Sequence, residues 1–67
     1  DRVLIRDLVA LRKYRNLSQA DVARLLGISQ PSVAAFEAHD SNPTLAKIRR
    51  YAQAIGAVIE HRVIAAE

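Results

Sequence analysis

The sequence predicts a mainly α-helical domain of four short helices followed by one short β-strand. Three observations predict it. Apolar residues recur at helical spacing in four separate stretches, each bounded by cap residues. Two of those stretches, inside SQADVARLLGISQPSVAAFE at residues 18–37, are joined by only three residues, Gly27-Ile28-Ser29. The segment AVIEHRVI at residues 57–64 is different in kind, with β-branched Val58, Ile59, Val63 and Ile64 flanking a charged centre.

Residues 3–15 read as the first helix. Leu4, Leu8 and Leu11 fall at i, i+4 and i+7, while Arg6, Asp7, Arg12, Lys13 and Arg15 mostly take other faces. Asn16-Leu17 closes it. Ser18 is the expected N-cap of the second helix, with Asp21 as its capping-box partner. Leu17 and Val22 have the N′–N4 spacing of a hydrophobic staple. Eleven residues on, the arrangement repeats: Ser29 caps, Ile28 pairs with Val33, and Pro31 lies in the first turn. The apolar positions of this unit are Val22, Leu26, Ile28, Val33 and Phe36. Ala23 and Gly27, four apart, predict little side-chain bulk where the second helix crosses. That is the steric requirement of a helix-turn-helix.

A polar loop from Ala38 to Asn42 follows. Asn42 is the expected N-cap of the fourth helix and Pro43 its first residue. Leu45, Ile48, Ala52 and Ile55 give its apolar stripe over roughly 12 residues. Gly56 is the expected stop. The strand at 57–64 has nothing to pair with in a helical chain, so it must join a second copy, another protein or a further part of the chain.

Sixty-seven residues make one domain, residues 1–67, divided into a helical bundle at 3–56 and a strand at 57–64. So small a core is expected to draw support from a partner subunit. Hydrophobic residues are 51% and charged residues 25%, a globular rather than disordered composition. Cysteine is absent, which excludes disulfides and thiolate metal sites. No apolar run approaches the roughly 18 residues of a membrane span, and no signal-peptide pattern opens the chain. It begins at Asp1 without Met, as a piece of a longer protein would. A net charge of +3 and a pI of about 10.0 suit a polyanionic partner. His39 and His61 stand far from other ligand types, so neither is assigned to a metal. No paired carboxylates, Ser-His-Asp set or Gly-rich phosphate loop supports catalysis, and no cofactor is expected.

With these residues in place, the chain resembles the Xre/Cro/CI-type helix-turn-helix family of bacterial and phage DNA-binding proteins. The likeness runs over residues 4–56 and includes LSQADVARLLGISQPSV, the following FE, and NPTL. It implies a lambda-repressor-like bundle of four helices or more. The strand after four helices is similar to HipB-type antitoxins, in which such a strand pairs across a dimer.

The resemblance implies a third helix in the major groove, its N-terminal residues at base edges. Gln30 matches the family's frequent base reader, and its amide can donate and accept together, as adenine N7 and N6 require. Ser32 can reach a base or a phosphate. Ser18 and Gln19 match phosphate-binding positions at a helix N-terminus. Lys47 is a further phosphate candidate. Arg12 and Glu37 match a pair bridging the first and third helices, read first as a structural ion pair and second, for Arg12, as a phosphate contact. The chain departs from the pattern at Ala34 and Ala35, which can touch a thymine methyl but make no hydrogen bond. His39 stands where Gly is usual, and Asp40 where relatives often carry Arg or Lys. Backbone contacts and DNA shape are therefore expected to carry much of the specificity. Arg2, Arg6, Lys13, Arg15, Arg24, Arg49, Arg50 and Arg62 read mostly as solvated surface.

An antiparallel pairing of two tails with its dyad at His61 sets Glu60 opposite the partner's Arg62 and Ile59 opposite Val63. Val58, Ile59, Glu60, His61, Arg62 and Val63 are then the dimerisation residues; the alternative is a segment ordered only within a longer chain. The leading expectation is a dimeric transcriptional regulator on a palindromic double-stranded DNA operator, in the bacterial cytoplasm at the nucleoid. Within it, a repressor that is also the antitoxin of a cognate toxin is preferred, with a stand-alone regulator as its rival. A protein-interaction module with weak or no DNA readout is the alternative class.

Overall fold

The computed structural model describes residues 2–57, which form four helices and their connections. These are α1 (Arg2–Tyr14), α2 (Gln19–Leu26), α3 (Gln30–Glu37) and α4 (Leu45–Ile55). At eight residues each, α2 and α3 are short of the roughly 12–15 that isolated helices need in water. Tertiary packing holds them. α2 rests on α3 and α4, and α1 closes the bundle against α3 and α4.

The core is Leu8 from α1, Val22 and Ala23 from α2, Val33 from α3, and Ile48, Tyr51, Ala52 and Ile55 from α4. Burying each large apolar side chain contributes about 1.5–3 kcal/mol. α1 is one residue earlier at both ends than its periodicity predicts, and its inward stripe is wider. Ile5 is buried with Leu8, and Arg12, one turn beyond Leu8, is buried at 7% exposure. Helical geometry puts residues 5, 8 and 12 on one face, so a cation enters the bundle with the apolar stripe.

Three helices end in the same way. Asn16 (φ 59), Gly27 (φ 70) and Gly56 (φ 76) take the left-handed conformation after α1, α2 and α4. The N–H that follows each reaches back five residues: Leu17 to Arg12 O at 3.1 Å, Ile28 to Ala23 O at 3.0 Å, Ala57 to Ala52 O at 2.8 Å. α3 stops differently, at extended Ala38 (φ −62, ψ 147), and the loop is held by Ser41 Oγ donating to Phe36 O at 2.7 Å.

Several expectations need correcting. A Cβ placed on Gly27 meets nothing within 4 Å, so glycine serves the left-handed turn there rather than leaving space for a crossing helix. Close packing comes from Ala23, 5% exposed. Ile28 is 43% exposed and lines an open groove beside α3, so the second staple is not buried as its spacing predicts. The fourth helix starts two residues later than expected. Thr44 is its N-cap, accepting from Lys47 N–H at 3.3 Å, and Pro43 precedes the helix instead of opening it. Leu45 is then 49% exposed, and Tyr51, absent from the predicted stripe, is buried at 1%. Ala57, expected to open the strand, closes the α4 cap. The described residues contain no strand, and the rest of the predicted strand, with its dimerisation residues 58–63, lies outside them.

Candidate functional site

The side of α3 that meets the bundle and the side that faces solvent carry different chemistry. Val33, at 1% exposure, anchors its back, while Gln30, Ser32 and Ala35 are exposed and Ala34 is half-buried. The helix opens from Ser29, whose Oγ accepts from Ser32 N–H at 3.2 Å, with Pro31 in the first turn. The two hydroxyls of Ser29 and Ser32 lie 2.8 Å apart, sharing one hydrogen. Ser32 therefore keeps further hydrogen-bonding capacity toward solvent.

Behind this face lies a polar network centred on Glu37, the last residue of α3. Arg12 donates to it twice, from Nε to Oε2 at 2.8 Å and from Nη2 to Oε1 at 3.0 Å. Tyr51 OH donates to Oε2 at 2.6 Å, and Gln19 Nε2 donates to Oε1 at 3.0 Å. Each carboxylate oxygen thus accepts twice, which fills the acceptor capacity of the group. Arg12 spends a third donor on Leu17 O at 2.8 Å. The ion pair is enclosed, with 8% of the Arg12 side chain and 7% of the Glu37 side chain exposed. Burial by itself pushes the Glu37 carboxyl up; hydrogen bonds from Tyr51, Gln19 and Arg12, with the Arg12 charge, outweigh it and hold Glu37 below the usual range. Burial, reinforced by the bond to Glu37, pushes the Tyr51 hydroxyl well above the ordinary tyrosine range. Phe36 stacks on Tyr51 with ring centroids 4.6 Å apart, so an apolar wall covers the network.

The network reaches the surface through Gln19. Its Oε1 accepts from Gln30 Nε2 at 2.6 Å, joining the first residue of α2 to the first residue of α3. At the same end of α2, Ser18 and Asp21 form a complete capping box: Ser18 Oγ accepts from Asp21 N–H at 3.0 Å, and Ser18 N–H donates to Asp21 Oδ2 at 2.8 Å. The Ser18 backbone bond holds the Asp21 carboxyl below its ordinary value. Arg24 pairs with Asp21 on the exposed surface. Ser18 retains its hydroxyl hydrogen for an outside acceptor.

Lys47 lies apart from that cluster. With Arg50 it borders a groove of about 490 Å³ that also takes in Ser32, Ala35 and Phe36 of α3 and Pro43. The structure thus brings together Arg12, Gln19, Gln30 and Glu37 in one bonded set, and Lys47 with Ser32 and Ala35 along another surface. Sequence reasoning missed Tyr51 and the Gln19–Glu37 link. Tyr51 follows Ile48 by three residues and precedes Ile55 by four, so a wider helical stripe would have included it. The Gln19 link had no sequence signal, because it depends on how α2 and α3 pack.

Among the described residues, no group of three or more His, Cys, Asp and Glu can hold a metal ion, and no helix is long and apolar enough to cross a membrane. The family model described as "Helix-turn-helix" matches residues 8–58. Antitoxin HigA1 from two strains of Mycobacterium tuberculosis is 46% identical over 56 residues, which is 84% of this chain. The chain spans 38% of the length of those relatives. No solved structure matches the chain significantly. With two capped helices joined through Gly27 and the family match extending over most of its length, the chain belongs to the helix-turn-helix family.

Proposed function

We propose that this chain is a sequence-specific double-stranded DNA-binding domain of a non-enzymatic transcriptional regulator, with α3 as its major-groove reader. The observation that carries this reading is the first turn of α3. Gln30 and Ser32 stand exposed on a helix whose opposite face is sealed by Val33, beside the capped N-terminus of α2. Gln30 and Ser32 supply hydrogen bonds to base edges, and Ala34 and Ala35 supply at most contact with a thymine methyl. Ser18, Gln19 and Lys47 serve as phosphate contacts, a reading supported by the α2 N-terminus for the first two and by the groove beside α3 for Lys47. Arg12, with three of its five N–H donors bonded inside the protein, serves as the structural half of the Arg12–Glu37 pair.

The similarity to proteins named antitoxin supports a regulator that represses its own operon and binds a cognate toxin. We place it in the bacterial cytoplasm at the nucleoid, acting as a homodimer on a palindromic operator. Pairing of Val58–Val63 across two copies would set the recognition helices about 34 Å apart. Deleting residues 57–67 should then convert a dimer to a monomer in sedimentation; an unchanged dimer refutes that assembly.

Titration of duplex DNA over a salt series tests the central reading. Affinity should fall linearly in log[salt], and Gln30→Ala should cost about 1–3 kcal/mol on a selected duplex but little on random DNA. No binding to any duplex at low salt would favour the second reading. That reading, a protein-interaction module of the same fold, draws on Ala34 and Ala35, which leave α3 with few polar readers.

A further inference from the structure

The bonded path from Glu37 to Gln30 has a direction. A glutamine amide can be turned either way, so a Gln–Gln contact by itself does not say which residue donates. Glu37 removes that freedom. An ionised carboxylate only accepts, so Gln19 must turn its NH2 toward Glu37, as it does at 3.0 Å. Its oxygen then faces Gln30, which must present NH2 in turn, as it does at 2.6 Å. Each amide is oriented by the one behind it, and the order starts from a group that cannot donate.

We propose that Glu37 is a specificity-determining positioning residue that sets, through Gln19, which atoms Gln30 offers to a base. This rests on the reading of α3 as a DNA reader given above. With one N–H committed to Gln19, Gln30 keeps its Oε1 acceptor and its second N–H for the groove. That donor–acceptor pair complements adenine N6 and N7. With the amide turned over, Oε1 turns one lone pair to Gln19 and Nε2 takes its former place, a donor where adenine N6 also donates and guanine O6 accepts. The choice of adenine over guanine is thus written at the far end of α3, seven residues from the side chain that makes the contact. Tyr51 and Arg12 act one step further back: with Gln19 they fill the acceptor capacity of Glu37 and hold it as a charged acceptor.

The test begins by selecting duplexes from a randomised library with the unaltered chain, and finding the base pair whose preference Gln30→Ala abolishes. Gln19→Met breaks the path while leaving Arg12, Glu37 and Tyr51 bonded. Glu37→Gln makes the first group able to donate. Both variants should lower the adenine-over-guanine preference at that one base pair by roughly tenfold, leaving preferences elsewhere in the site intact. A uniform loss on all duplexes with Gln19→Met, at unchanged preference, would make Gln19 a phosphate contact only and overturn the proposal. If Glu37→Gln fails to give a folded circular dichroism spectrum, Gln19→Met decides alone. If Gln30→Ala weakens the selected site but Gln19→Met does not alter its base preference, α3 is still the reader and the relay is wrong. If the unaltered chain enriches no duplex, the DNA reading itself falls and takes the relay with it.

Discussion

The entries to α2 and α3 look alike in sequence and differ in the folded chain. Each has an apolar residue, a serine cap and a second apolar residue five positions after the first. At the α2 entry, Leu17 packs half-buried against the core and its carbonyl accepts from Arg12 Nη1 at 2.8 Å. At the α3 entry, Ile28 is 43% exposed and lines an open groove. α2 begins in a two-way capping box, whereas Ser29 accepts one backbone bond and shares a hydrogen with Ser32. The pattern fixes where each helix starts. Whether the entry is buried depends on what else packs there, and only the α2 entry bonds directly to the buried ion pair, through Leu17 O and Gln19.

The largest effect should come from cutting that tie. Glu37→Ala leaves Arg12 a buried cation without its carboxylate and should cost about 3–5 kcal/mol in urea unfolding. A loss under about 1 kcal/mol would mean that the α2 entry stands without the ion pair. The same network predicts the pH response. Glu37 is held below its ordinary 4.5, so the stability it confers is present above that value and lost as pH falls through the lower folded value. Tyr51 is raised above its ordinary 10.0, so its contribution is present below pH 10.0 and lost only in stronger alkali. Urea midpoints across acid pH should therefore fall for the unaltered chain and change less for Glu37→Ala.

Next in size is a direct test of the two apolar positions. Leu17→Ala should cost about 1–2 kcal/mol, below the 2–5 of a fully buried leucine, while Ile28→Ala should stay within about 0.5 kcal/mol. Equal losses would show that the second staple carries weight despite its exposure. The smallest difference is expected at the caps. Ser18→Ala and Ser29→Ala should each cost about 0.5–2 kcal/mol, with Ser18 the larger because its capping box is complete.

Much of the fold was legible because its signals are local. Ser18, Gly27, Ser29 and Gly56 mark helix ends by the bonds or dihedral angles that their own side chains allow, and the structure has them at helix ends. Asn42 misled because it, too, is a good cap ahead of a proline; Thr44 takes the role by accepting from Lys47 N–H. Tyr51 was missed because a tyrosine reads as surface unless a buried partner for its hydroxyl is known, and that partner lies on another helix. The candidate site divides in the same way. Residues on the exposed face of α3 follow from its periodicity and from the family resemblance. The Gln30–Gln19–Glu37 path depends on how α2 and α3 pack, which no spacing within one helix reveals.

The left-handed corners at Asn16, Gly27 and Gly56 also bear on kinetics. Each closes through backbone bonds spanning at most five residues, so each helix stop forms without any distant contact. Loop closure then costs little entropy before packing begins, and helical bundles rich in local contacts fold in microseconds to milliseconds. Only the α3–α4 connection lacks such a corner, because Ala38 is extended. Docking of α4 onto the first three helices is therefore the step expected to set the folding rate.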